Sequence, residues 1–481
     1  MKRYDMVVIG GGTAGLVSAV IAAGTGARVA LAEPARTGGD CLWTGCVPSK
    51  SLIAAAQLAH RMRTADRLGL GTVDPHIDFA RVMDRVHAVI AAIAPHDSPE
   101  RLRAEGVEVI EAAAQFAAPG RIVVGGRELA YRTALIATGS APMVPPVPGL
   151  ADAEPLTNET VWGLRELPRR LVVLGGGPIG CELGQAFARL GSRVTLVEKA
   201  PRLLMEEERD ASALIGEHLS ADGVDVRLGA AAVAVRPAGD GHVLLLGDAE
   251  KPETVGFDRI LVAAGRRPHS AGLALEAAGV QTDERGAVVV DERLRTSARN
   301  VYALGDVTGQ LPFTHVAAYH ARVAAVNALF HARRKVSYDA VPWVTFTDPE
   351  VARVGMTEEQ ARERWGRDAV AVSSPYARLD RAIAAAEAHG FAKLVGDPRG
   401  RLVGATIAAP AAGEAIAELT AWIAQGGRID DVSQTVHAYP TLAEGQSRAA
   451  DDHVRAKYTR PRIRAVTRTA LAALRLADRP R

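Results

Sequence analysis

The same strand–turn–helix–strand phrase occurs twice in this sequence. Met6–Ile9 is an apolar run that ends in Gly10, Gly12 and Gly15, passes into a helix-like Leu16–Ala23, and returns as Arg28–Ala32, closed by Glu33. Leu171–Leu174 leads likewise into Gly175, Gly177 and Gly180, a helix-like Cys181–Leu190, and a run Arg193–Val197 closed by Glu198. A short apolar run followed by a glycine turn, a helix and a second run is a βαβ unit. In such a unit the first glycine permits the tight turn, the second lets a pyrophosphate approach the backbone, and the third lets the helix pack on the strand. The helix N-terminus attracts the phosphates, and the acid ending the second strand is placed to bond ribose hydroxyls. One such turn matches many Gly-rich loops by chance, but two in register, each with its acid, predict two dinucleotide-binding folds.

Each fold has a later strand closing on glycine, Ala134–Gly139 in the first and Ile260–Gly265 in the second. Pro142–Pro148 leaves the first fold, and Arg295–Asp306 reads as a return to it, so the second fold is expected to be inserted into the first. After Val341 the pattern changes to mixed strands and helices up to about Asp452, with no third glycine turn. The expected class is α/β, with two Rossmann-like dinucleotide-binding domains and a C-terminal α+β domain. The boundaries read as 1–150 with 285–340, 151–284, and 341–454, followed by a basic amphipathic tail, 455–481. A chain of 481 residues is too long for one core.

Net charge is +2, but residues 455–481 carry nine Lys/Arg against Asp478 alone, +8, which leaves −6 for the rest. A body of that charge is not a nucleic-acid binder. Three cysteines make no secreted framework, and Lys2 and Arg3 lead straight into a strand, so a cytoplasmic protein is expected. No apolar stretch reaches the roughly 18 residues needed to cross a bilayer. In the tail, Ile463, Val466, Ala470 and Leu474 share one helical face, with Arg464, Arg468 and Arg475 to one side, a pattern that suits peripheral contact with an anionic membrane.

Two of the cysteines, Cys41 and Cys46, fall in Thr37–Lys50, directly after the first nucleotide fold, ahead of an expected helix Ser49–Arg63. Read from spacing alone they are buried free thiols or a redox pair. A metal site lacks a second Cys pair or a neighbouring His to complete it. A disulfide here needs Gly45 to bend the chain, and Lys50 with a helix N-terminus is available to stabilise a thiolate. Cys181, just inside the second helix, reads as a packed thiol.

Taken together, Gly10–Gly15, Gly38–Lys50, Ala137–Gly139, Gly175–Glu182, Ala263–Arg267, Gly305–Asp306 and His437–Glu444 resemble the class I flavin disulfide reductases, the family of dihydrolipoamide dehydrogenase, glutathione reductase and mercuric reductase. The resemblance runs from residue 4 to about 452. It implies FAD on the first fold, held by Gly10, Gly12, Gly15, Glu33, Gly39, Lys50, Ala114, Thr138, Gly139, Asp306 and His315. It implies a nicotinamide dinucleotide on the second, held by Gly175, Gly177, Gly180, Glu198 and Gly265, and dimerisation through residues 341–454. Lys50 and Glu182 match an ion pair beside the flavin. Electrons are then expected to pass from the nicotinamide through the flavin to Cys46, with Cys41 as the outward, attacking thiol. Glu198 favours NADH over NADPH, because a carboxylate repels a 2′-phosphate.

The chain departs from the family pattern where disulfide-reducing members place a catalytic histidine before Pro-Thr. Here that position is Tyr439, followed by Glu444, which matches the family's orienting carboxylate. His437, two residues earlier, reads as structural. Mercuric reductases carry tyrosine in a similar stretch but end in a second cysteine pair, and no cysteine follows Cys181. The expected function is a homodimeric reductase passing electrons from NAD(P)H to a small-molecule oxidised acceptor: a disulfide, a reactive oxidant or a soft metal ion. A quinone reductase or diaphorase using the flavin alone, and a non-catalytic flavoprotein subunit, are the alternatives.

Overall fold

The computed structural model describes residues 3–239, 241–247 and 253–477. Compactness divides the chain into two units. The first comprises Met1–Thr64, Thr72–Leu203 and Leu219–Ser337, and the second Ala65–Gly71, Leu204–His218 and Tyr338–Arg481.

The first unit is built on a seven-stranded sheet. Its strand β1 (Arg3–Ile9) is followed by helix α1 (Thr13–Gly24), β2 (Val29–Ala32), α2 (Gly39–Trp43), α3 (Cys46–Arg63), β3 (Val107–Ile110), β4 (Ala114–Ala118), β5 (Arg121–Val124) and β6 (Arg127–Ile136). The order is β3-β2-β1-β6-β5-β4, and Val301–Ala303 pairs with the far part of β6. From Met6 onward alternate residues of β1 enter opposite cores, Val7 and Ile9 in one and Met6 and Val8 in the other. Burial on both faces is why this strand reads as a continuous apolar run. Small residues Ala14, Gly15, Ser18, Ala19 and Ala22 are buried along α1 and let it pack closely on the sheet.

A second parallel sheet holds Arg170–Leu174, Arg193–Glu198, Asp225–Leu228 and Arg259–Val262. All four strands fall between β6 and Val301–Ala303, so the second sheet interrupts the first in sequence. The expected helix at Ser49 begins three residues earlier, at Cys46. Pro48 marks a boundary in sequence, yet in the first turn of a helix its missing N–H is one that has no intrahelical partner.

The second unit has a five-stranded antiparallel sheet in the order Pro342–Thr345, Glu350–Gly355, Leu402–Ala409, Phe391–Gly396, Val370–Pro375. Helices Ala412–Ala424 and Glu444–Tyr458 cover it through Ile416, Leu419, Ala449 and Ala450. Leu204–His218 belongs here although the sequence boundary stands at 341: the buried Glu207 carboxylate accepts from Trp343 Nε1 at 2.6 Å and Arg353 Nε at 3.0 Å. Helix Pro461–Ala477 follows at the C-terminal end.

Candidate redox and dinucleotide site

The two glycine turns share one geometry. Gly10 and Gly175 have φ of 105° and 117°, and a Cβ on either would stand 2.4 Å from a carbonyl of the neighbouring strand end, Ala137 or Ala263. A Cβ on Gly15 or Gly180 would stand 1.9 Å from the first glycine's own carbonyl. The middle glycines differ: above Gly12 the nearest atom is 3.9 Å away, and above Gly177 nothing lies within 4 Å. The fold therefore requires the outer glycines, and the middle ones leave room over a helix N-terminus, which fits a dinucleotide pyrophosphate.

The acids repeat as well. Glu33 accepts Gly11 N–H at 2.7 Å and Ala35 N–H at 2.8 Å, and Glu198 accepts Gly176 N–H and Ala200 N–H, both at 2.7 Å. Each carboxylate is held rigidly and keeps lone pairs for ribose hydroxyls. Gly39, at φ 59°, lies so close under Gly12 that a Cβ would stand 2.7 Å from the Gly12 Cα. Thr138 donates to the His269 carbonyl at 2.6 Å, the Gly139 carbonyl accepts His269 N–H at 2.9 Å, and the Gly265 carbonyl accepts Met143 N–H at 3.0 Å. Ala114 is buried at the head of β4, opposite Val124.

Cys41 lies in α2 and Cys46 opens α3, with Gly45 between the helices as N-cap of α3. A Cβ on Gly45 would come 2.9 Å from the Asp40 carbonyl and 3.6 Å from the Cys41 Cα, so the absent side chain lets the two cysteines approach. Both are free thiols that share a hydrogen bond. They are unequal. Cys46 is brought down to about 6 by the hydrogen bond from Cys41, then by Thr314 and the Lys50 charge, against burial. Cys41 is pushed up, because its proton is held by the Cys46 sulfur and it is partly buried. Cys181 is fully buried, donates to the Gly176 carbonyl at 3.4 Å, and is pushed up by desolvation.

One helical turn beyond Cys46, Lys50 Nζ stands 2.8 Å from Glu182 Oε2, whose side chain is only 7% exposed. Asp306 accepts from the Ser140 hydroxyl at 2.7 Å, and burial pushes its carboxyl up. His315, in the first turn of the Thr314–Phe330 helix, is exposed and stacks on Phe313 at 5.4 Å.

Within the second unit the Tyr439 hydroxyl donates to Asp380 Oδ2 at 2.7 Å and is 67% exposed. Glu444 bears on Tyr439 through its charge and makes its own hydrogen bond elsewhere. Its Oε2 accepts Thr441 N–H at 3.3 Å, because Glu444 starts a helix and turns back over the preceding loop. His437 is held at both ring nitrogens, by the Thr435 carbonyl and Glu418, each at 2.9 Å.

The family model described as pyridine nucleotide-disulphide oxidoreductase matches residues 4–321, and that of the family's dimerisation domain matches residues 341–450. The chain belongs to the pyridine nucleotide-disulphide oxidoreductases. It is 39% identical over 464 residues to a dihydrolipoyl dehydrogenase of Thermus scotoductus, covering 94% of this chain and 97% of that protein. It is 37% identical over 454 residues to a mercuric reductase of Streptomyces lividans, covering 93% and 95%. Among solved structures, LpdA from Mycobacterium tuberculosis superposes with a TM-score of 0.85 at 30% identity. The Cu(II) complex of the HOCl-induced flavoprotein disulfide reductase RclA from Escherichia coli does so with 0.84 at 32%. Each comparison covers 94% of this chain and 99% of the other.

This FAD-dependent oxidoreductase has site neighbours that sequence reasoning did not single out. Thr314 Oγ1 lies 3.5 Å from Cys46 Sγ. Arg266 donates to Asp40 Oδ2, to the Ser140 hydroxyl at 2.7 Å and to the Ser140 carbonyl at 2.8 Å, linking the residue before Cys41 to the partner of Asp306. His320 accepts Gly305 N–H at Nδ1, 3.1 Å, and burial takes it down to about 4, so it stays neutral and fixes the turn that carries Asp306. Asp380 is 59 residues from Tyr439. Arg266 and its partner Asp40 lay in stretches already marked. The others are single residues whose partners are remote in sequence.

Proposed function

We propose that this enzyme oxidises NADH and passes two electrons through Cys46 and Cys41 to a thiol-reactive acceptor: a disulfide, a small reactive oxidant or a soft metal ion. The observation that carries the reading is the placement of the cysteine pair, Cys41 and Cys46 brought together across Gly45, with Cys46 at a helix N-terminus, 3.5 Å from the Thr314 hydroxyl and one turn from Lys50. When bound, FAD supplies the two-electron relay between reduced nicotinamide and the cysteine pair. The open cradles above Gly12 and Gly177, with Glu33 and Glu198 fixed beside them, fit the two dinucleotides.

The protein's part is to place the proton. Cys41 attacks as a thiolate, so its proton first crosses to the Cys46 sulfur. With a disulfide acceptor, Cys41 forms a mixed disulfide and releases one thiolate, which takes the proton back from Cys46. The Cys46 thiolate then attacks the Cys41 sulfur, closes the disulfide and releases the second thiolate. In a homodimer Tyr439 is the residue expected to meet the partner's Cys41, and a phenol near ~10 is a poor proton acceptor at pH 7. This supports an acceptor that asks little of a base, a reactive oxidant or soft metal ion, over lipoamide or glutathione disulfide.

The Glu198 carboxylate supports NADH over NADPH, as both its oxygens are pinned at the ribose end of the second fold. A screen of disulfides, quinones, hypohalous oxidants and Hg(II), run on wild type beside Cys41→Ser and Cys46→Ser, tests the proposal. Reduction of the true acceptor is lost in both variants. Full turnover in Cys46→Ser would instead assign a diaphorase.

A further inference from the structure

We propose that the helix Pro461–Ala477 is an interfacial element that lays this enzyme on an anionic lipid bilayer. Every residue from Tyr458 to Arg475 is exposed, including Val466 at 69% and Leu474 at 59%. At 100° per residue, Ile463, Val466, Ala470 and Leu474 fall on one face. Arg464, Arg468 and Arg475 form a ridge beside it, and Arg462 flanks the other edge. Long arginine stems from these edges reach headgroup level while the apolar face sinks below it.

The ends of the helix add a second argument. Its first turn holds no acidic residue but has Arg462 and Arg464, cations at the positive end of the helix dipole. A helix of this length gains little from propensity alone, and here neither the apolar stripe nor the end charges are compensated. A covering surface must therefore be apolar beneath and anionic around. A second copy of the tail would set +8 against +8, and a nucleic acid offers no apolar layer, whereas an anionic bilayer offers both. The helix is roughly 26 Å long, short of a ~30 Å hydrocarbon core. Among the described residues no helix is long and apolar enough to cross a membrane, so this one lies on the surface.

Co-sedimentation with vesicles decides the matter. The probes are phosphatidylcholine alone and phosphatidylcholine mixed with phosphatidylglycerol, at low and high salt, with the full chain beside one ending at Lys457. The full chain is expected to pellet with the anionic vesicles at low salt and to be released by high salt. The shortened chain stays in the supernatant with unchanged NADH-driven flavin reduction. Replacing Arg464, Arg468 and Arg475 with Gln weakens partitioning about a hundredfold, at about fivefold per basic residue near the surface. Val466→Glu weakens it with the charge ridge intact. Equal pelleting of the full and shortened chains overturns the proposal. So does a shortened chain that becomes monomeric in sedimentation velocity, which would assign the helix to the dimer, and so does salt-independent binding to phosphatidylcholine alone.

Discussion

The sulfur of Cys46 lies 3.5 Å from the hydroxyl of Thr314, a residue 268 positions away in the chain. Cys46 opens α3 and Thr314 opens the helix Thr314–Phe330, so a single thiol stands at the first turns of two helices. Helix N-termini carry partial positive charge, and Lys50 adds a full one a turn away. Both fields favour the Cys46 thiolate.

The first prediction follows from that arrangement. A lowered thiol is charged above its own titration point and protonated below it, so iodoacetamide should alkylate Cys46 of the reduced enzyme with a midpoint at about 6. Cys41 should react more slowly than Cys46, because its thiolate forms only when its proton crosses to the Cys46 sulfur. Thr314→Val removes one stabilising hydrogen bond and should raise the Cys46 midpoint by about 0.5–1 pH unit. Peptide mapping after timed alkylation reads both sites. An unshifted midpoint in Thr314→Val would remove this residue from the tuning of the thiol.

The glycine turns yield a contrast within one loop. Gly15→Ala drives a methyl to 1.9 Å from the Gly10 carbonyl and should destabilise the first fold by about 3 kcal/mol or more, whereas Gly12→Ala meets nothing closer than 3.9 Å. Gly12→Ala should therefore fold, with near wild-type Tm for the apoprotein, and purify with little flavin absorbance. Gly177→Ala in the second turn should keep its flavin and lose NADH affinity. Melting curves with flavin spectra distinguish the two kinds of failure, and a fully flavinated Gly12→Ala would contradict the cradle.

These turns were legible in the sequence because their chemistry is local: strand, glycines, helix and acid lie within one unit, and each constrains the next. The same locality marked Cys41, Cys46 and Lys50. Thr314 and Asp380 were not legible, because a hydroxyl or carboxylate shows no pattern until the fold brings it to its partner. The early start of α3 was hidden by Pro48, which ends helices elsewhere but is tolerated in a first turn. Leu204–His218 joins the second unit through Glu207, a buried carboxylate whose Trp343 and Arg353 partners lie 136 and 146 residues on. Periodicity gives no sign of such a link.

Glu198 sets the third prediction. Its carboxylate is fixed by Gly176 and Ala200, so it cannot swing aside for a 2′-phosphate. NADH should exceed NADPH in kcat/KM by about tenfold, or about 1.4 kcal/mol. Glu198→Ala should lower kcat/KM for NADH, by loosening the loop and losing the ribose bond, and should shrink the ratio between the two. A wild-type preference for NADPH would mean that Lys199 or Arg202, which follow the acid in sequence, dominates the pocket.

The last prediction concerns the residue at which this chain leaves the disulfide-reducing pattern. Tyr439 donates to Asp380, and that hydrogen bond to a carboxylate raises the phenol above its ordinary range. A group raised in this way stays neutral until the pH passes its own titration point, so Tyr439 should contribute no ionisation to the rate in the neutral range. Tyr439→His replaces it with a group that titrates near ~6.5, able to accept the Cys41 proton at neutral pH. Disulfide reductase activity should therefore rise by about tenfold or more and acquire an acid limb, falling as the pH drops through that value. Asp380→Asn in the wild-type background lets the phenol titrate lower without creating such a limb, which separates loss of the hydrogen bond from gain of a base. The pH–rate profiles of the three proteins on one disulfide decide it. If Tyr439→His stays folded, retains NADH-driven flavin reduction and shows neither the gain nor the new limb, then the missing base does not limit this enzyme, and its acceptor takes electrons without a proton transfer at that position.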